Sequence, residues 1–377
     1  MPEPSHPPSS RFSHIRRTLG TALGVGAVAL LAACQAPPAE IQIQNPYAGV
    51  DWDGSTQYKA NLHTHTTRSD GRLNPHTVVD RYHELGYAIL AITDHNLVTH
   101  PWTEFSRMEA SQRSHRLMEE APETMPEDLV FEDRGPTALG MIDIKANELS
   151  SHHHMGSFFN QHPEPVYGHS MAYSTDEEES LQAVREENGI VMLYHPGRYD
   201  RPLDWYVDLY ARHDHLFGLE VYNQGDRYPD DRILWDSILT VSMPERPVWA
   251  YSNDDMHVAS HLGRNWNVMI LPGLSQEKAR RGMEEGLSYF VYAPEGHEGP
   301  AVPQIERIDV NNRRGRIAIT ARQHERVVWI AEGIHVHEGH ALALAELPEG
   351  TTYVRAELHG AGSSVVGTQP FGIRKTR

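Results

Sequence analysis

Between Tyr58 and Gly286, short apolar runs alternate with stretches whose apolar residues recur every three to four positions. The run 87-YAILAIT-93 has no polar face, which marks a strand covered on both sides, as in a parallel sheet. Before it, 58-YKANLHTH-65 reads as a strand and 76-HTVVDRYHELG-86 as an amphipathic helix stopped by glycine. Further strands are expected at 141-MIDIKANELS-150, 190-IVMLYH-195, 217-FGLEVYN-223 and 248-VWAYSND-254, with helices at 177–189, 230–240 and 275–286. This alternation predicts an α/β barrel or a related parallel sheet. A long polar insertion, about 97–138, interrupts it and includes the helical-looking 103-TEFSRMEASQRSHRLMEE-120.

Past Pro300 the pattern changes. The segments 304-QIERIDVNNRRGRIAITARQ-323, 326-RVVWIAEGIHV-336 and 351-TTYVRAELHG-360 alternate apolar and polar residues between turn signals. They predict a small antiparallel β module over 300–377.

The first residues read as an address. Basic 11-RFSHIRR-17 precedes the apolar run 19-LGTALGVGAVALLAA-33, which is too short and too rich in Gly and Ala for a good membrane-spanning helix. Its end, 31-LAAC-34, resembles the bacterial lipoprotein signal, which implies lipidation of Cys34 as the mature N-terminus; the alternative is a secretory peptide ending near a cysteine. By the same resemblance, Gln35 after the lipidated residue favours the outer membrane in a double-membraned cell. Cys34 is the sole cysteine, so neither an internal disulfide nor a thiol nucleophile is available. The expected organisation is a signal peptide over 1–34, a Pro- and Gln-containing tether over 35–57, a barrel over 58–299 and the β module over 300–377.

The formal charge is −18, and residues 1–33 carry a net +2, which leaves −20 for the remainder. Such a surface repels polyanions and argues against nucleic-acid polymers or anionic membranes as partners. A small phosphorylated substrate stays compatible, because bound cations reverse the field locally.

In parallel α/β folds the functional groups stand at the carboxyl ends of strands. Here those ends carry His63, His65 and Asp70; Asp94 and His95; Glu148 followed by His152, His153 and His154; His195; Glu220; and Asp254, Asp255 and His257. Imidazole and carboxylate without thiolate suit Zn²⁺, Mn²⁺ or Fe²⁺. One tetrahedral ion needs about four ligands, so this supply implies two or three ions, which could clamp an anionic ester without a Ser or Cys nucleophile. The chain has 25 histidines, and His83, His100, His115, His162, His213, His215 and His340 are read as structural. So are His335 and His337, a second His-x-His that falls in the expected β module, where no acidic partner is expected for it.

His63-x-His65 with Ser69-Asp70-Gly71, then Thr93-Asp94-His95, Glu148, His195-Pro196-Gly197-Arg198 and Asp255-x-His257, resembles in content and order the PHP family, named for polymerase and histidinol phosphatase. The likeness runs from about Asn61 to about Gly286. The signal peptide, the β module and 369-QPFGI-373 are similar to secreted members grouped with carbamate hydrolases. The resemblance implies a distorted (β/α)7 barrel holding up to three metal ions. His63, His65 and Asp255 would bind the first with a bridging Glu148; His195 and Glu148 would bind the second with one further histidine; Asp70, His95 and His257 would hold the third. The further histidine is best matched by His154, then His153, with His169 suiting a longer gap. A metal-bridged hydroxide would attack phosphorus or carbon while Arg198 holds an anionic oxygen. Glu220 falls outside this ligand set and is read as a residue of the pocket or one supporting a ligand, and Asp94 is expected to orient His95. The leading expectation is a phosphoesterase acting on small phosphorylated compounds, with Arg198 and Arg264 as anion-binding candidates. The alternatives are hydrolysis of a carboxyl ester, amide or carbamate on the same core, and a non-catalytic metal- or ligand-binding surface lipoprotein.

Overall fold

The computed structural model describes residues 40–105, 133–150, 152–162 and 176–376. The chain divides at Pro38/Ala39, and every described element belongs to the unit Ala39–Arg377. Cys34 and the expected export signal, His115 and most of the polar insertion, and His169 lie outside the described residues. Among the described residues no helix is long and apolar enough to cross a membrane.

In chain order the elements are β1 (Glu40–Gln44), β2 (Thr56–Asn61), α1 (Pro75–Glu84), β3 (Ile89–Ala91), α2 (Pro136–Leu139), β4 (Ile142–Ile144), β5 (Ala146–Ser150), β6 (His154–Phe158), α3 (Glu177–Glu186) and β7 (Ile190–Leu193). Next come α4 (Leu203–Arg212), β8 (Leu216–Asn223), α5 (Asp230–Ser242), β9 (Trp249–Asn253), β10 (Asn265–Leu271), α6 (Gln276–Glu285) and β11 (Ser288–Tyr292). The C-terminal strands are β12 (Gln304–Asn311), β13 (Arg316–Arg322), β14 (Arg326–Ala331), β15 (Ile334–Glu338), β16 (Ala341–Ala343), β17 (Tyr353–His359), β18 (Val365–Gly367) and β19 (Phe371–Thr376). Helix starts obey local chemistry: the side chains of Asn74, Asp176 and Ser275 each accept a backbone N–H in the first turn of α1, α3 and α6.

The strands form a mixed α/β architecture that is richer in sheet than the sequence pattern suggests. One sheet of eleven strands runs β1-β19-β17-β18-β11-β10-β2-β3-β4, with β14 and β15 attached at β17. A second runs β5-β6-β7-β8-β9, and a third joins β12, β13 and β16. Among the described strands, parallel ladders are confined to β2-β3-β4 and β7-β8-β9. A closed ladder of parallel strands is not what the described residues show. The stretch 141–150, expected as one strand, is two: β4 ends at Ile144, and the chain passes through Lys145 into β5 of the second sheet. The expected tether contributes β1, which pairs with β19, and the C-terminal strands enter the large sheet through β18, which pairs with β11.

The two larger sheets meet in two ways. Isolated parallel bridges link Thr64 to Met256 and His95 to Glu148. Elsewhere side-chain amides stand in for the ladder. Gln369 accepts the Ala250 N–H at 2.8 Å and donates to the Ala250 carbonyl at 2.9 Å. Asn267 does the same for Ser252, at 2.9 and 3.0 Å. Asn61 accepts the Asp254 N–H and Asn253 accepts the Leu62 N–H, each at 3.0 Å. All of these amides are buried, so each satisfies backbone groups that would otherwise be stranded. Apolar residues of β3, β7 and β8 fill the interior: Ile89, Leu90, Ala91, Val191, Leu193, Leu219 and Val221 are fully covered. The strand ends carrying the expected functional residues are thereby gathered at one place.

Candidate metal centre

All nine expected ligands converge. His63 and His65 come after β2, His95 after β3, Glu148 lies in β5, His154 opens β6, His195 comes after β7, and Asp255 and His257 after β9. Asp70 joins them from the loop after His65, which folds back tightly: a Cβ on Gly71 would come within 2.5 Å of the His65 carbonyl oxygen. His195 and Asp255 adopt positive φ, 31° and 43°, conformations that non-glycine residues seldom take unless the surroundings impose them.

Glu148 is the centre of the cluster. Its Oε2 lies 3.3, 3.1 and 3.2 Å from His63 Nε2, His65 Nε2 and His95 Nδ1, and its Oε1 lies 2.7 and 3.4 Å from His154 Nδ1 and His195 Nε2. Asp255 Oδ1 is 3.2 Å from Nε2 of both His63 and His65. Asp70 Oδ1 faces His257 Nε2 at 3.2 Å and His95 Nε2 at 3.4 Å. His63 stacks on Tyr194 with ring centres 3.6 Å apart, and His65 packs between His95 and His257.

These contacts fit a cation better than hydrogen bonds. His63 Nδ1 meets the Glu220 carboxylate at 2.9 Å, and His65 Nδ1 faces Ser69 Oγ at 3.3 Å. With protons at those Nδ1 positions, both Nε2 atoms present lone pairs, 3.2 Å from each other and directed at two carboxylates. Glu148 Oε2 is buried and has no well-directed hydrogen bond, and neither has His195 Nδ1. Ligand atoms about 2.1 Å from a tetrahedral ion stand about 3.4 Å apart, close to the spacing seen here. Burial opposes charge on His63, but Asp255, Glu220 and Glu148 outweigh it and push the imidazole up to about 10. The same attraction, against the cost of burial, holds Glu148, Asp255 and Asp70 well below the carboxylate range.

Of the three candidates for the further histidine, the described residues place two. His154 enters the cluster. His153 is buried beside it, with Nδ1 against the His154 carbonyl and Nε2 against the Tyr206 hydroxyl, and burial pushes it down to about 3. His169 is outside the described residues. Asp94 differs from expectation. Its oxygens accept from the Thr66 backbone N–H and the Thr66, Ser69 and Thr99 hydroxyls at 2.6 to 2.8 Å, so it holds the loop after His65. The Nδ1 of His95 is held by Ser150 Oγ at 2.6 Å instead. The other His-x-His lies on β15 and, contrary to expectation, His337 has an acidic partner, Glu346 at 2.8 Å, outside the cluster.

Seven of the nine residues line an open cavity of about 520 Å³, together with Arg72, Arg198 and Arg227. Arg198 ends a short turn, Pro196–Arg198, that rests on the start of α5: Asp231 Oδ1 accepts the Gly197 N–H, and a Cβ on Gly197 would meet Asp231 at 2.8 Å. Its guanidinium lies 5.6 Å from the Tyr199 ring and meets no carboxylate among the described residues. Arg264 does not line the cavity; its backbone N–H serves Asp254. Arg72 and Arg227 escaped the sequence reading. Both had signals available: Arg72 comes directly after Asp70-Gly71, and Arg227 sits in 224-QGDRY-228 directly after β8.

No family model matches the sequence, and no curated protein matches it. Solved structures are similar in part. A two-domain protein containing a predicted PHP-like metal-dependent phosphoesterase from Bacteroides vulgatus is 16% identical, with a TM-score of 0.48 over 91% of this chain and 92% of that one. An amidohydrolase from Chromobacterium violaceum is 17% identical, with a TM-score of 0.37 over 53% of this chain and 88% of that one. A lesion-specific endonuclease from Pyrococcus furiosus is 13% identical, with a TM-score of 0.41 over 61% and 56% respectively. At such identities and scores these likenesses say nothing of the reaction, which has to be read from the residues themselves.

Proposed function

We propose that the chain is a PHP-type metal-dependent hydrolase that cleaves small phosphorylated compounds. The observation that carries this reading is the set of facing electron-pair atoms on His63, His65, Glu148 and Asp255, 3.1 to 3.3 Å apart in a buried cluster. Two or three divalent ions, of Mn²⁺, Zn²⁺ or Fe²⁺, would supply Lewis acidity there and lower the pKa of a water at neutral pH. Glu148 would serve two positions at once, since its oxygens face different histidines. Arg72, Arg198 and Arg227 line the same cavity and support an anionic substrate, because a guanidinium binds two oxygens of a phosphate in one plane. With Asp70, Glu148 and Asp255 engaged by cations, those arginines dominate the field a substrate meets.

The test is phosphate release from a panel of mono- and diesters by protein starting after Cys34 and reloaded with Mn²⁺ or Zn²⁺, compared with His257→Ala. Turnover by the parent that collapses in the variant is expected. A folded, metal-loaded parent that releases no phosphate but hydrolyses neutral esters or carbamates would replace this reading with the ester one. The export signal and Cys34 support a site of action at the cell envelope, with lipid attachment as the anchor. Incorporation of labelled palmitate that disappears in Cys34→Ser checks that part separately.

A further inference from the structure

Glu220 stands one layer behind the cluster and is fully buried. Its Oε1 accepts from His63 Nδ1 and Asn253 Nδ2, each at 2.9 Å. Its Oε2 accepts from the His195 backbone N–H and Asn223 Nδ2, each at 2.8 Å. Four donors occupy the four lone-pair directions of one carboxylate, so the group acts purely as an acceptor. Two of the donors belong to residues that follow different strands and both reach Glu148: His63 Nε2 meets its Oε2, and His195 Nε2 meets its Oε1.

We propose that Glu220 is a positioning residue for both halves of the centre: it fixes the tautomer of His63 and seats the backbone of His195. Tyr194 stacking already sets the plane of the His63 ring, so the remaining freedom is which nitrogen carries the proton. A carboxylate at Nδ1 places it there and leaves Nε2 a free electron pair for an ion. The second task is distinct. His195 holds a left-handed backbone conformation, φ 31° and ψ 58°; the Arg198 N–H on its carbonyl closes the turn, and the hydrogen bond from its own N–H to Glu220 holds it from the other side. Asn253 ties the arrangement to β2 by accepting the Leu62 N–H, one residue before His63. A single side chain on β8 thereby registers His63 after β2 with His195 after β7.

This inference rests on the metal-dependent reading, and its test is therefore metal uptake rather than turnover. Full-length protein is titrated with Co²⁺ against a chelator, monitored by the visible absorption of the bound ion. In Glu220→Gln one oxygen becomes an amide that opposes a donor, either at His63 Nδ1 or at the His195 N–H. Affinity is expected to fall roughly 10- to 100-fold, the usual effect of removing the partner of a metal-binding imidazole, with a changed Co²⁺ spectrum. Glu220→Asp keeps the acceptor charge and is expected to recover most of that loss. Gln369→Ala, which removes the pair of bonds to Ala250 and touches neither Glu220 nor the cluster, is expected to lower the urea midpoint while leaving Co²⁺ affinity unchanged. Equal losses in the Gln and Asp variants, or a loss in Gln369→Ala to match, would mean that Glu220 only fills space, and the proposal would be overturned. A second measurement needs no variant. In Zn²⁺-loaded parent labelled with ¹⁵N-histidine, the His63 ring is expected to show a slowly exchanging proton on Nδ1, and a proton on Nε2 instead would overturn the tautomer assignment. A parent that takes up neither ion would sink this inference and the metal reading together, whereas normal uptake without phosphate release would leave Glu220 in place and remove only the substrate class.

Discussion

Asp143 lies on β4 with Oδ2 accepting the Trp102 backbone N–H at 2.7 Å, while its Oδ1 is buried without a hydrogen-bond partner. Burial pushes the carboxyl up to about 7 from its ordinary 3.8, against the smaller pull of the Trp102 N–H. The folded chain thus holds this proton more tightly than the unfolded chain. The associated stability is complete below the ordinary value and is lost as pH rises toward 7. Asp143→Asn keeps an acceptor for Trp102 and removes the ionisation. It should be more stable than the parent at about pH 8, by at most a few kcal/mol, with the advantage gone below about pH 4; urea unfolding at both values checks the sign. Arg198 is the other single residue with a sharp expectation. Arg198→Ala should lower kcat/KM for a phosphoester by about 10²-fold, and Arg198→Lys should recover only part of it, since an ammonium cannot make the paired contact. Most of the converging residues were legible because they come soon after a strand, where a polar group has no business in a core, whereas Asp70 lies on a loop and Glu148 inside β5. The role of Asp94 was not legible, and for a plain reason: neighbouring residues of an extended chain point to opposite faces. Asp94 consequently turns to Thr66, Ser69 and Thr99, and His95 Nδ1 pairs with Ser150 Oγ across the bridge.

Among the elements, the seam between β9 and β10 carries the clearest consequence. Asn267 satisfies both backbone groups of Ser252 from the neighbouring strand, and it is fully buried. Asn267→Ala should strand one donor and one acceptor and destabilise the unit by about 2–6 kcal/mol, since each unpaired buried group costs about 1–3. A drop in the urea midpoint without change in the slope would show it. An unchanged midpoint would mean that water fills the gap. This seam also explains what the sequence concealed. Strands β10 and β11 went unread because β10, 265-NWNVMIL-271, opens with two asparagines, residues depleted in strands, and because β11 pairs with β18, far along the chain. Helices α1, α3, α5 and α6, whose signals are local, fall close to the expected spans. The break at Lys145 was invisible for the same reason as the seam: a switch between sheets leaves the strand pattern on either side intact.

At the scale of the whole unit, the metal reading becomes a statement about stability. An ion that binds the folded chain alone stabilises it by about 4 kcal/mol at a thousandfold excess over Kd. Chelation should lower the calorimetric melting temperature markedly, and Zn²⁺ or Mn²⁺ should restore it. Identical melting with and without chelator would mean that the folded chain holds no ion.

The pairing of β1 with β19 places Glu40 opposite Thr376. The two ends of the unit therefore meet, and as a topological object the chain is a ring cut at one arbitrary point. A permutant that joins residue 376 to residue 40 through a short linker and reopens at the exposed turn Glu349–Gly350 should fold and take up Co²⁺ as the parent does. The order in which the ribosome delivers these strands would then be an accident of descent, with the centre indifferent to where its sequence starts.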